Sequence, residues 1–154
     1  SSINSQFSTE LDSGPSVALS ARMGAAAKAN ELEQRLVLFA KSIVKLARHL
    51  RKDPESRHIA SQVLRSGTAA AANYAEARSA ESRADFIHKL KVALKELNET
   101  SIWLRIVEGN VAESADLLSA LIAENRELCK ILLASIQTAR RNMEGAAHIL
   151  KRLG

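Results

Sequence analysis

Apolar residues recur every three or four positions along most of the chain, the spacing of one face of an α-helix. Leu32, Leu36, Phe39, Ile43, Leu46 and Leu50 form the first such seam and predict a helix from about Ala29 to Arg51. Asp53-Pro54 ends it, and Pro54 suits the first turn of the next helix, where a missing N–H costs nothing. That second helix is expected from about Glu55 to Ala77, with Ile59, Val63, Ala70 and Tyr74 facing inward. A turn around Arg78 to Ala80 leads to Ser82 and Asp85, which resemble a capping pair. Phe86, Leu90, Ala93, Leu97, Thr100, Leu104 and Val107 then make the seam of a third helix ending near Glu108, with Gly109-Asn110 as its stop. A fourth helix is expected from around Ala112 to Ser114, with Leu118, Leu121, Asn125, Leu128, Leu132, Ser135, Ala139 and Met143 along its seam. Ala146, Leu150 and Leu153 extend the pattern beyond Gly145, where a kink is expected.

Four such helices with three short connections specify an all-α fold, an antiparallel up-down-up-down four-helix bundle. The second helix carries Ser66, Gly67, Thr68 and Ala69 to Ala72. A glycine inside a helix costs about 1 kcal/mol against alanine. Its presence there, among small side chains, points to close approach of a neighbouring backbone. Asn125 on an apolar seam is a candidate for fixing register by hydrogen bonding, or for facing water. Ile87, Leu94, Ile102, Ile131, Leu133 and Ile136 lie off the main seams. Apolar faces this wide exceed what a slim monomer buries, so self-association is expected.

Composition narrows the picture. The chain has 154 residues, 46% hydrophobic and only 3% aromatic, so one domain with an aliphatic core is expected. Its single cysteine, Cys129, excludes an internal disulfide, fits a reducing cytosol, and sits among apolar residues as a buried or half-buried thiol. No apolar run approaches the ~20 residues of a membrane span, and no signal-peptide pattern opens the chain. Residues 1–28 are richer in Ser, Ala and Gly, with a break at Gly14-Pro15. They read as a flexible or docking extension, with Ile3, Phe7, Leu11, Val17 and Leu19 available to dock, leaving residues 29–154 as the bundle. Met23-Gly24 is a candidate natural start, with residues 1–22 either native or added.

The net charge of +5 and pI near 9.7 direct attention to anionic partners. Between Glu31 and Asp53 there are six basic and three acidic residues, so +3 of the +5 lies there. Lys41, Lys45, Arg48 and Lys52 are spaced by three and four, about 200° around the helix from the apolar seam. This basic stripe is either a solvated face or a phosphate-contacting one. With Tyr74 and Trp103 expected to be buried, any nucleic-acid contact would run through backbone phosphates, without base stacking. Arg65, Asn73, Glu76, Glu96 and Glu99 read as a structural polar network between the second and third helices rather than as catalytic carboxylates.

Other chemistries find little support. Glu55/His58 has the Glu-x-x-His spacing of a di-iron bundle, and Asp85/His88 nearly does. They open successive antiparallel helices, which separates them by about 25–30 Å at 1.5 Å per residue. No Cys/His cluster fits zinc, and no Gly-rich phosphate loop follows a strand. No cofactor and no enzymatic activity are expected.

The block from Gln62 to Leu104 is the most specific. Leu64, Arg65, Ser66, Gly67 and Thr68, then Ala72, Asn73 and Glu76, then Ala80 to Ser82, Ala84 to Leu90, Ala93, Lys95, Glu96, Asn98 to Thr100 and Trp103 resemble one signature. It is that of the four-helix-bundle family named after proteins encoded in intervening sequences of bacterial 23S ribosomal RNA genes. The resemblance spans roughly Leu32 to Asn142 and departs at Ala70 and Tyr74, where an aliphatic residue is usual, and at both extended ends. It implies a homopentameric ring as the preferred state; the absence of a long apolar run already sets aside a membrane partner. Two function classes remain. One is a non-enzymatic oligomer holding RNA or DNA backbone. The other is a protein-interaction scaffold, by analogy with the similarly shaped accessory subunits of diversity-generating reverse transcriptases.

Overall fold

The computed structural model describes residues 15–50, 52–109 and 111–153. Among them are four helices and no strand: α1 (Pro15–His49), α2 (Pro54–Arg78), α3 (Arg83–Val107) and α4 (Ala115–Leu153), with a single 3-10 turn, Ala112–Ser114, before α4. The chain divides into two compact units, residues 1–34 and 35–154, and α1 contributes to both.

In the first unit, helix begins at Pro15, fourteen residues before the expected start near Ala29. Pro15 suits a first helical position, and Ala18, Ala21 and Ala25 to Ala27 favour helix without needing anything to pack against. Val17, Leu19 and Met23 are exposed. Ile3, Phe7 and Leu11 lie outside the described residues.

The second unit holds the bundle. Contacts between neighbouring helices fall on one as they rise on the other, which makes each pair antiparallel. Gly67 of α2 meets Ile43 of α1, while the earlier Leu64 shares a cleft with the later Ala47. Arg65 pairs with Glu96 and Glu99 of α3, and the later Glu76 with the earlier Lys89. Arg35 pairs with Glu124, and Lys52, just past α1, with Glu113, just before α4.

The core is aliphatic. Leu36, Ile43, Leu46, Leu90, Leu97, Leu104, Leu128 and Leu132 are its largest fully buried apolar side chains. On α2 the buried set is Ala60, Val63, Ser66, Gly67, Ala70, Tyr74 and Ala77, an unbroken three-four rhythm of mostly small residues. Ile59, expected inward, is half-buried, and Ala60 takes its place. At the start of α3, Ile87 is buried and Phe86 half-buried, one residue off the expected seam. On α4, Ile136 is buried in place of Ser135, and Met143 is exposed. Of the residues off the expected seams, Ile87 and Ile136 are buried, Leu94 and Ile131 half-buried, and Ile102 and Leu133 exposed.

Local chemistry sets the ends. Asp53 caps α2 in extended conformation, accepting from the Ser56 N–H at 2.8 Å, with Pro54 next. Ser82 caps α3 by accepting from the Asp85 N–H at 3.1 Å. Gly109, with φ of +87°, turns the chain after α3. α4 continues as helix through Gly145 to Leu153.

Two polar features cross the core. Ser66 donates to the Gln62 carbonyl and accepts from Thr100 of α3 at 3.0 Å. Asn125 of α4, 2% exposed, donates from Nδ2 to the Leu97 carbonyl of α3 at 3.1 Å. This is a bond of the kind expected of a register-fixing asparagine. Among the described residues its Oδ1 has no partner, which costs about 1–3 kcal/mol.

Gly67 fixes the approach of α1 to α2. A Cβ there would lie 2.8 Å from both Cγ1 and Cγ2 of Ile43, branch atoms that cannot swing aside. Gly67→Ala gains about 1 kcal/mol of helix propensity and loses about 1–3 to overpacking. A net destabilisation of about 1 kcal/mol is expected in urea unfolding. In a double-mutant cycle, Ile43→Ala is expected to relieve the strain, leaving the double variant at least about 0.5 kcal/mol more stable than the two single changes sum to.

Candidate nucleic-acid interface

The inward seam of α1 turns Lys41, Lys45 and Arg48 outward, and all three are exposed. Seven residues separate the first from the last, a rise of about 10.5 Å. Among the described residues no carboxylate pairs with these three side chains. The fourth member of the expected stripe stands apart. α1 ends at His49, so Lys52 lies in the turn before α2. Its Nζ is 3.5 Å from Glu113, both side chains being more than 70% exposed. Asp53 and the following proline force this turn: a residue capping α2 in extended conformation cannot also continue α1. Beside the turn is a cavity of about 250 Å³ whose lining includes His49, Lys52, Asp53, Ser56 and Glu113, charges of both signs. The stretch free of ion pairs among the described residues is therefore Lys41 to Arg48, although Lys45 also lines a cavity of about 400 Å³ with Glu113 and Asp116.

Aromatic rings do not extend it. Tyr74 is buried, 5% exposed. Trp103 is half-buried, its Nε1–H donating to Glu99 at 3.2 Å and its ring edge-on to His58 at a centroid distance of 6.3 Å. The face offers fixed positive charge without a stacking platform.

The residues expected to form a polar network separate into three arrangements. Arg65 bridges to α3 through Glu96 at 3.2 Å and through a close hydrogen bond to Glu99. Glu76 pairs with Lys89 at 3.2 Å and does not join them, being eleven residues, or about 16 Å of helix, from Arg65. Asn73 donates to the Ala69 carbonyl of its own helix at 2.9 Å. Periodicity gives no notice of Arg35, whose Nε and Nη2 each lie 2.9 Å from Glu124, a bidentate clasp between α1 and α4. Both residues flank seam positions, Leu36 and Asn125, where such pairs form, and that is the one signal the sequence holds for them.

Among the described residues, no group of three or more His, Cys, Asp or Glu is placed to hold a metal ion. The four histidines are exposed. Among the described residues no helix is long and apolar enough to cross a membrane.

The Arg65 hydrogen bond, followed by that from Trp103, holds the Glu99 carboxyl below its ordinary value of 4.5. A carboxylate with a depressed folded-state pKa stabilises the fold above its unfolded value and loses that contribution as pH falls through the folded one. Glu99→Gln is therefore expected to show a smaller drop in thermal midpoint than the parent chain on acidification below about pH 4.5, monitored by circular dichroism. Identical acid-side slopes would remove the role assigned to the Arg65–Glu99 bond.

Comparison with known proteins agrees with this architecture. The model for the family of 23S rRNA-intervening sequence proteins matches residues 28–134. A solved structure from Bacteroides thetaiotaomicron, a protein of unknown function from the S23 ribosomal protein family, is 36% identical. The similarity covers 71% of this chain and 98% of that one, with a TM-score of 0.65. No curated protein matches. With more than half its length matched and a solved relative of the same fold, this chain belongs to the 23S rRNA-intervening sequence protein family.

Proposed function

We propose that the chain is a non-enzymatic helical-bundle protein that holds the phosphate backbone of RNA or DNA on the outward face of α1. The observation carrying this reading is the row of Lys41, Lys45 and Arg48, exposed and in no ion pair among the described residues. Contacts of this kind are electrostatic and weakly sequence-specific. Lys52 contributes only when the partner displaces Glu113, an exchange two exposed side chains permit.

We also propose that copies of the chain associate, with the homopentamer that the family resemblance implies as the preferred state. Support comes from exposed apolar residues on the bundle: Leu38 on α1, Ile102 and Ile106 on α3, and Leu133 on α4. A ring repeats the basic row once per subunit, so weak contacts sum through effective concentration.

Binding of a fluorescent structured RNA, measured against salt, tests the first part. Affinity is expected to fall linearly with log salt, and Lys41→Glu with Lys45→Glu and Arg48→Glu to flatten the slope by about two to three units. Absence of binding at low salt, or a triple variant that binds as the parent does, would overturn the assignment. Native mass by light scattering tests the second part. A multiple of the 16.7 kDa chain is expected, and a monomer at micromolar concentration would exclude it.

A further inference from the structure

α4 is longer than the bundle needs. It has 39 residues against 25 each in α2 and α3. Asn125 touches Leu97, so counting fourteen residues up α4 and down α3 sets Ala139 level with Arg83, the first residue of α3. Ala139 is also the last buried residue of α4. Beyond it, residues 140–153 continue as helix for about 21 Å, every one exposed. Exposure climbs along the way, from 41% at Met143 through 71% at Leu150 to 81% at Leu153.

This projection carries two ordered faces. Met143, Ala146, Leu150 and Leu153 prolong the inward seam in its three-four rhythm, with Ala147 and Ile149 beside them. Arg140, Arg141, Lys151 and Arg152 occupy the other side with one acid, Glu144, a net charge of 4 − 1 = +3. The segment lies outside the family match, which stops at residue 134, so that match does not account for it.

We propose that the 140–153 projection is a docking element for an acidic amphipathic helix of another protein. Three observations select that occupant. The stripe keeps the heptad register of the bundle, and a stripe in that register fits the knobs of a helix. The charge of +3 opposes pairing between two copies of the projection and favours an acidic partner. The seam continues the face that α4 turns toward α3, so α3 hinders a flat lipid surface from lying along it more than it hinders a single rod. Nucleic acid would leave the apolar stripe uncovered.

The probe is a fluorescent three-heptad peptide with Leu at the core positions and Glu at the flanking ones, titrated with the full chain. Saturable binding that weakens with salt is expected, together with much weaker binding of a twin peptide carrying Lys for Glu. Leu150→Glu with Leu153→Glu is expected to reduce affinity more than about tenfold without moving the thermal midpoint, since both side chains are exposed. Gly145→Ala leaves the apolar stripe and every charge in place, has open space around it, and is expected to tighten binding about threefold to fivefold by raising helix content. Equal binding of the two peptides, or an unaffected double variant, would overturn the proposal. Binding to vesicles of equal parts phosphatidylcholine and phosphatidylglycerol that the double variant loses would assign the projection to a lipid surface instead. A drop in native mass in that variant would assign it to a second copy of the chain. The RNA measurement on α1 is independent of all these outcomes.

Discussion

The contact between Gly67 and Ile43 sets how closely the first two helices approach. The β-branched side chain of Ile43 fills the space a Cβ would need, so the glycine is an outright requirement of that spacing. Apart from Tyr74, the rest of the buried α2 seam, Ala60, Val63, Ser66, Ala70 and Ala77, is small enough to match. The helix gives up propensity at Gly67 and regains it in close packing on both sides. The Ser66–Thr100 hydrogen bond is a consequence, because two short hydroxyl side chains on α2 and α3 meet only when the backbones are near.

A helix seam is legible because it is periodic, and the four seams stand largely where their spacing puts them. Departures from them have local causes. The rhythm that joins Lys52 to Lys41, Lys45 and Arg48 takes no account of Asp53 and Pro54, which need extended chain, so α1 stops first. Charge alone groups Glu76 with Arg65, although antiparallel pairing sends it to Lys89, several turns away. Phe86 and Ile87 exchange roles at the start of α3, where a 3.6-residue turn drifts against a 3.5-residue template. The first turns of α1, from Pro15 to Lys28, carry no apolar seam, so periodicity cannot announce them.

The candidate site divides in the same way. Exposure of Lys41, Lys45 and Arg48 is implied by the seam opposite. Pairing is not, because whether a cation is matched depends on which carboxylate the fold brings across. Lys52 acquires Glu113 from sixty-one residues away, and Arg35 acquires Glu124 from eighty-nine, separations at which sequence offers only flanking position as a hint.

Cys129 gives the molecule a property of another kind. It is the chain's sole sulfur nucleophile, half-buried on α4, with Asn98 of α3 as a weak acceptor 3.7 Å away and burial pushing its thiol above the usual value. Attack on an electrophile needs the thiolate, which that environment suppresses. A disulfide dye is therefore expected to colour this thiol more slowly than a fully exposed one, and any acceleration reports loosening of α4 against α3 around Cys129.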